Sequence, residues 1–185
     1  MPSGPAPHTT SSVSEVTAGC RLLLVRHAKA VPKDVDVEDF ERALSKRGRA
    51  DAPRTGSWLA ESPFEPGLAL CSPARRTRQT WQLLAPALPD PPSVVYDGRL
   101  YKAELNVLVT VLAERAAGLG SVMLVGHNPG IHQLARGLCG SGPADLLEEL
   151  GEGFPTSGVV VVDLPGGWAL TPGSGRLTAL WSPRR

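Results

Sequence analysis

The sequence contains no hydrophobic run long enough to cross a membrane and no excess of charge of either sign. A membrane span needs about 18 consecutive apolar residues, and no segment approaches that length. Nineteen Lys and Arg residues oppose 18 Asp and Glu residues, which leaves a formal net charge of +1. This balance provides no overall attraction to nucleic acid or anionic lipid. We therefore expect neither as a partner, and any anion site must come from a local group of basic residues.

Cysteine is also scarce, with three residues and no C-x-x-C spacing. Such a set describes neither a disulfide framework nor a zinc site, so we expect a reducing, cytoplasmic setting. A thiolate phosphatase would need an arginine six residues after Cys71, but that position is Thr77, and we interpret Cys71 as a buried structural cysteine. The sequence has no P-loop, no G-x-S-x-G and no dinucleotide fingerprint. We predict no cofactor and no metal, since arginines beside the candidate histidines would repel a cation.

The length and the distribution of glycine and proline indicate one domain. A chain of 185 residues matches a single domain of roughly 100 to 200 residues. Residues 1–19 are rich in Pro, Gly, Ser and Thr and poor in apolar side chains, which predicts a disordered leader. This segment lacks the basic start and apolar stretch of a secretory signal. We expect residues 20–185 to form a single domain.

Short aliphatic runs alternate with longer segments of helical composition. We predict strands over 21–25, 68–71, 94–96 and 121–125, and helices over 45–59, 77–84, 104–117 and 131–138. This alternation predicts an α/β fold, a three-layer α/β/α sandwich with a mostly parallel central sheet. Segments 159–164, 168–170 and 177–181 predict an antiparallel C-terminal edge.

Basic and imidazole side chains directly follow three of the predicted strands. Arg26 and His27 follow the first strand, Arg76 comes shortly after the second, and His127 and Asn128 follow the strand at 121–125. The carboxyl ends of strands in an open α/β sheet line the crevice where ligands bind. Each loop also leads into a helix, whose N-terminus favours an anion. The sequence therefore predicts a phosphate site at this edge, with Asn128 among the binding residues.

The residue types in this group match the needs of phosphoryl transfer. Guanidinium groups can hold the phosphoryl oxygens by paired hydrogen bonds, which suits Arg26 and Arg76. Neutral imidazole is a nucleophile at pH 7, so His27 is the candidate to form a covalent phosphohistidine, and His127 would donate a hydrogen bond. A single histidine is more often a core residue bonded to the backbone. Two histidines beside arginines at strand ends favour the site.

Three motifs resemble the histidine phosphatase superfamily, the phosphoglycerate mutase-like group: LLLVRHAKA at 22–30, SPARRTRQT at 72–80 and VGHNPG at 125–130. The sequence is most similar to the SixA-type phosphohistidine phosphatase branch, through Arg-His-Ala and the segment DFERALSKRG at 39–48. The resemblance covers about residues 21–165. It implies a catalytic domain in which His27 is the phosphorylated nucleophile, Arg26 and Arg76 clamp the phosphate, and His127 is the second histidine.

Other positions near these motifs receive weaker interpretations. Arg75 and Arg78 are out of register with the second motif, so we interpret them as surface or substrate-facing charges. Thr156 and Ser157 precede the strand at 159–164 and are candidates to touch substrate. Asp39 and Arg42, three residues apart, form a potential structural pair.

The resemblance fails at the acid that superfamily esterases place in an Arg-Leu-x-Glu context, because this chain reads Arg99-Leu100-Tyr101-Lys102. An alkoxide leaving group has a conjugate-acid pKa near 15.7, whereas that of imidazole is about 6.5, so departing histidine needs less proton donation. We therefore expect a phosphohistidine protein as substrate. Glu104 or Asp97 remains open as an alternative acid. A phosphatase for a small phosphate ester and a non-catalytic phosphate-binding module are the alternative functions.

Overall fold

The chain alternates strands and helices along most of its length. The computed structural model describes residues 19–34 and 36–184, so the predicted leader, apart from Gly19, lies outside the described residues. Within the described part, seven strands and five α-helices follow one another in this order: β1 (Cys20–Arg26), α1 (Lys46–Glu61), β2 (Leu68–Cys71), α2 (Arg75–Leu84), β3 (Val94–Tyr96), α3 (Leu105–Arg115), β4 (Ser121–Gly126), α4 (Gly130–Leu138), β5 (Cys139–Ser141), α5 (Ala144–Glu152), β6 (Val159–Leu164) and β7 (Gly175–Trp181).

All seven strands join one sheet with the order β3-β2-β4-β1-β6-β7-β5. The neighbours β3, β2, β4 and β1 are parallel. Strand β6 is antiparallel to both β1 and β7, and β5 is parallel to β7. Strand β6 therefore runs opposite to the other six. The predicted α/β class, with a mostly parallel sheet and antiparallel pairing toward its C-terminal edge, is confirmed.

Strand β1 shows how the sheet separates two helical layers. Leu22 and Leu24 pack on one face with residues of α3, α4 and α5, whereas Leu23 and Val25 pack on the other with residues of α1 and α2. Successive side chains of a strand point to opposite faces, so the continuous apolar run RLLLV is buried on both sides. Burying each such side chain contributes roughly 1.5–3 kcal/mol. This packing gives the three layers and fixes the ends of the central strands.

Two glycines allow close backbone approaches next to the carboxyl ends of the strands. A Cβ at Gly48, in the first turn of α1, would collide with the carbonyl oxygen of Lys29, and one at Gly130, which begins α4, would collide with that of Ala103. Both neighbours are backbone atoms, which cannot move aside as a flexible side chain can. Glycine therefore lets these two helices start close against neighbouring loops.

One predicted strand is wrong, and two elements, strand β5 and helix α5, were not among those predicted. The predicted strand at 168–170 is a 3₁₀ turn (Gly167–Ala169) followed by Leu170 at φ 50°. The Trp168 indole donates to the carbonyl oxygen of Leu119 at 2.6 Å, a contact between distant segments that local propensity does not reveal. Strand β5 was not predicted, because its three residues carry no apolar alternation. In the described segments, no helix combines the length and hydropathy required to cross a membrane.

Candidate active site

The register of the central strands brings the two motif histidines together. Arg26, the last residue of β1, pairs with Gly126, the last residue of β4. The next residues, His27 and His127, therefore leave adjacent strands at the same level, and the His27 N–H donates to the Gly126 carbonyl at 3.1 Å. The two imidazole ring centroids lie 5.2 Å apart. We call Arg26, His27 and His127 the floor of the site.

A pocket of about 560 Å³ opens above this floor. All five predicted site residues line it, since Arg76 and Asn128 join the floor residues there. Thr156 also lines the pocket, whereas Ser157 is buried beneath it and donates its N–H to the carbonyl of Arg26 at 3.1 Å. The structure therefore collects in one place the residues that the strand ends predicted, and their catalytic roles remain predictions.

The His27 ring is held as a neutral imidazole with a defined tautomer. Its Nδ1 lies 2.8 Å from the carbonyl oxygen of Ala28. A carbonyl oxygen only accepts hydrogen bonds, so Nδ1 carries the ring proton and Nε2 keeps its lone pair. Burial, supported by the positive charges of Arg76 and Arg26, lowers the pKa of His27 to about 3 despite the opposing effect of the Ala28 carbonyl. The ring is therefore a neutral imidazole at neutral pH, and its Nε2 lone pair can act as a nucleophile.

The His127 ring is oriented by Ser72, which follows β2. The Nε2 atom of His127 lies 2.8 Å from the Ser72 hydroxyl oxygen. The other contact of that oxygen is with the Ala74 N–H at 3.5 Å, which can only donate. Among the described residues Nε2 is therefore the one acceptor for the hydroxyl proton, and we infer that the hydroxyl donates to Nε2. The ring proton is then on Nδ1. Burial, together with the neighbouring His27 and Arg76, lowers the pKa of His127 to about 2, which keeps this ring neutral as well.

Backbone carbonyl groups hold three of the side chains that we predict to bind phosphate. Arg26 Nη1 donates to the Phe154 carbonyl at 2.6 Å, and the Asn128 amide donates to the same oxygen at 3.0 Å. Arg76 Nη1 donates to the Asp39 carbonyl at 2.6 Å. The role of the Phe154 carbonyl could not be predicted from the sequence, because every residue has a backbone carbonyl group.

Three buried nitrogen atoms of residues that line the pocket have no hydrogen-bond partner among the described residues. Arg26 Nε, Arg76 Nε and His127 Nδ1 make no hydrogen bond to any described residue, although Arg76 is only 3% exposed. Leaving a buried polar group unpaired costs about 1–3 kcal/mol. Three such donors around one pocket suit a single oxyanion, which would accept a hydrogen bond from each. By contrast, Arg75 is exposed, in agreement with its being out of register with the motif.

Neither alternative acid from the sequence lies in the pocket. Asp97 binds Arg99 at 2.7 Å and Arg115 at 3.6 Å, and the hydrogen bonds from Arg99 are the main cause that lowers the pKa of its carboxyl. Glu104 is exposed and lines a neighbouring groove that shares Lys102 with the pocket. Neither carboxyl group therefore lines the pocket, and Asp97 is held as a carboxylate by its arginine partners.

A second set of residues, Asp39, Arg42, Tyr101 and Lys102, forms one side of the site, which we call the wall. The predicted pair of Asp39 and Arg42 is present, with 3.4 Å between Oδ1 and Nε. Asp39 also contacts Arg76, Tyr101 and Lys102, which sequence reasoning missed. These partners are 37 to 63 residues away along the chain, so only the motif-like segment at 39–48 signalled the importance of this position.

Cys71, the last residue of β2, is buried beneath the pocket rather than in it. Burial raises the pKa of its thiol well above the ordinary value, so the reactive thiolate does not form at neutral pH. This agrees with its interpretation as a structural cysteine.

The comparisons with known proteins decide the family. The sequence profile of the histidine phosphatase superfamily (branch 1) matches residues 22–108. The solved structure of a candidate phosphohistidine phosphatase SixA from Agrobacterium tumefaciens is 34% identical, with 89% of this chain and 98% of that chain covered and a TM-score of 0.75. The chain belongs to the histidine phosphatase superfamily. Its similarity to SixA proteins confirms the branch that the motifs predicted.

Two further proteins are similar to this chain over most of its length. A candidate SixA from Nakamurella multipartitia is 27% identical, covers 90% of this chain and 98% of its own, and has a TM-score of 0.76. A Mycobacterium tuberculosis protein described as uncharacterised is 34% identical over 163 residues, which are 86% of this chain and 100% of the relative. Membership of the superfamily supports a phosphatase activity that acts through histidine.

Proposed function

We propose that this histidine phosphatase dephosphorylates phosphohistidine on a protein, through a covalent intermediate on His27. One observation supports the proposal most strongly. Three buried donors without a protein partner lie around the same pocket as a neutral imidazole whose tautomer is fixed. A pocket that only bound phosphate would have no need of a nucleophile with its lone pair kept free. The donors and the nucleophile together suit transfer of a phosphoryl group.

In the first step, His27 Nε2 attacks phosphorus and a new P–N bond forms. The bond from phosphorus to the substrate's ring nitrogen breaks, and its electron pair stays on that nitrogen. The charge on the transferring group is stabilised by Arg26 Nε, Arg76 Nε and the N–H at Nδ1 of His127. In the second step, water attacks phosphorus, the electron pair of the P–N bond returns to Nε2, and inorganic phosphate leaves with the protons of the water.

The pocket favours phosphohistidine over alkyl phosphates because it offers no carboxylic acid. Asp39 is the sole carboxyl group among the described residues that line it. Burial acts to raise the pKa of the Asp39 carboxyl, but hydrogen bonds from Lys102 and Tyr101 outweigh it and hold the pKa below its ordinary value. An alkoxide needs a proton donor as it leaves. A histidine ring that already carries a proton on its second nitrogen leaves as neutral imidazole, so it needs no proton donor.

The proposal is tested with a protein phosphorylated on histidine and the purified full chain. We expect release of inorganic phosphate, and transient transfer of the phosphoryl label to the enzyme in a form that acid removes. Both results should be the same with and without a metal chelator. His27→Ala removes the nucleophile and is expected to lower the rate by about 10⁴-fold or more.

The matched control is His132→Gln. The His132 ring donates to the Leu150 carbonyl at 2.6 Å and lies outside the pocket, so we expect a change of activity within about threefold. Full activity of His27→Ala, or turnover of alkyl phosphates as fast as that of the phosphohistidine protein, would contradict the proposal.

A further inference from the structure

The Asp39 carboxylate is bound unevenly by its neighbours. It lies on a short 3₁₀ helix (Asp39–Glu41), and its side chain is 18% exposed. Oδ2 accepts from Arg76 Nη2 at 3.1 Å and from the Tyr101 hydroxyl at 2.8 Å, and it lies 3.0 Å from Lys102 Nζ. Three donors therefore converge on one of its two oxygens.

The other carboxylate oxygen of Asp39, Oδ1, can still accept hydrogen bonds. Oδ1 lies 3.4 Å from Arg42 Nε, but that contact lacks hydrogen-bond geometry and Arg42 Nε bonds to no described residue. An ionised carboxylate can accept about four hydrogen bonds over its two oxygens. Asp39 lines the pocket, so Oδ1 is an acceptor available to a ligand there.

This arrangement places opposite requirements on the two parts of a ligand. The pocket's cations, among them Arg26 and Arg76, attract a phosphoryl dianion, whereas the single negative charge of Asp39 repels it. A group next to the phosphoryl group that carries an N–H, and a positive charge with it, would instead be attracted to Asp39. A phosphohistidine ring protonated on its second nitrogen has both properties, and a phosphate ester of an alcohol or phenol has neither.

We propose that Asp39 is a specificity-determining residue, whose Oδ1 accepts a hydrogen bond from the N–H of the substrate's phosphohistidine ring. The inference rests on the function proposed above. When the bond from phosphorus to the ring breaks, its electron pair stays on the ring nitrogen, and the ring leaves as neutral imidazole because its second nitrogen keeps its proton. Asp39 takes no proton and remains ionised throughout.

The test compares two substrates for each variant: a phosphohistidine peptide, and p-nitrophenyl phosphate, whose leaving group needs no proton donor and carries no N–H. Asp39→Asn keeps the size and the capacity to hold Arg76 through the backbone carbonyl, but removes the charge. We expect the ratio of kcat/KM for phosphohistidine to that for the aryl phosphate to fall about tenfold or more, the value of one charge-assisted hydrogen bond.

Glu41→Gln is the matched control, because this exposed carboxyl lies on the same 3₁₀ helix and does not line the pocket. Its substrate ratio should equal that of the wild type. An equal loss of both activities in Asp39→Asn would overturn the inference, since it would show that Asp39 only positions Arg76. Thermal unfolding followed by circular dichroism separates loss of fold from loss of preference.

Asp39→Glu supplies a second measurement if the asparagine variant does not fold. It keeps the negative charge, so the preference for phosphohistidine should stay within about threefold of wild type, and its loss would overturn the inference. Failure of the proposed function would look different. The wild-type enzyme itself would then hydrolyse the aryl phosphate and leave the phosphohistidine peptide untouched.

Discussion

The floor and the wall of the pocket are built by different means. The floor residues stand at the ends of two adjacent strands, where sheet register and backbone hydrogen bonds set their positions. The wall residues come from two loops, and ion pairs and hydrogen bonds between side chains hold them around Asp39. Register is fixed by buried apolar packing, whereas charge contacts can be altered without disturbing the core. We therefore expect changes in the floor to abolish the chemistry and changes in the wall to alter substrate choice.

Arg76 links the two regions and provides the largest remaining test. Arg76 lines the pocket and its Nε has no partner among the described residues, while both Nη groups bind Asp39. Arg76→Lys keeps the charge but loses the planar fork, so we expect kcat/KM to fall about 10²–10³-fold on every phosphate substrate. Arg75→Lys changes the exposed neighbour and should leave activity within about twofold. Steady-state kinetics on two substrates checks both. If activity fell on one substrate only, Arg76 would act in substrate choice, as the wall residues are expected to do, and not in the chemistry of every substrate.

Ser72 tests whether the floor depends on a fixed tautomer. Ser72→Ala removes the hydroxyl that lies 2.8 Å from His127 Nε2, so the ring proton is no longer held on Nδ1. We expect about a tenfold loss of kcat with little change in KM, and rescue by Ser72→Thr. Nitrogen NMR of the labelled His127 ring should show Nδ1–H in the wild type and a mixture in the alanine variant. An unchanged tautomer would contradict the assignment.

The smallest effect concerns stability rather than catalysis. His27 and His127 have pKa values of about 3 and about 2 in the folded chain, against 6.5 for an ordinary histidine. Below pH 6.5 the unfolded chain binds protons that the folded chain does not, so the free energy of unfolding falls as the pH falls. In His127→Gln, the decrease in the free energy of unfolding between neutral pH and about pH 5 should be smaller than in the wild type by about 1–2 kcal/mol. Urea unfolding at two pH values measures the difference, and an equally steep decline in the variant would refute it.

The same contrast explains what the sequence could predict. The floor follows from local signals, because a buried aliphatic run ends at Arg26 and another at Gly126, and parallel strands end at one edge. The Asp39–Arg42 pair was predictable because its members are three residues apart. The contacts of Asp39 with Tyr101 and Arg76 were not, since they depend on how two loops meet after folding. The Trp168 turn was missed for the same reason, as its partner Leu119 belongs to a distant segment.

The reversed direction of β6 gives the pocket one further chain segment, which enters from the start of a strand rather than from its end. Strand β6 begins at Val159 opposite Val25, next to the floor, so the residues that precede it arrive where every neighbouring central strand finishes. Phe154 and Thr156 enter the site by this route. In a sheet with all strands aligned, that segment would emerge on the far side of the molecule. Substitution of Thr156, which lines the pocket, thus offers a way to reshape ligand recognition while the strands and the buried contacts of Phe154 and Ser157 stay unaltered.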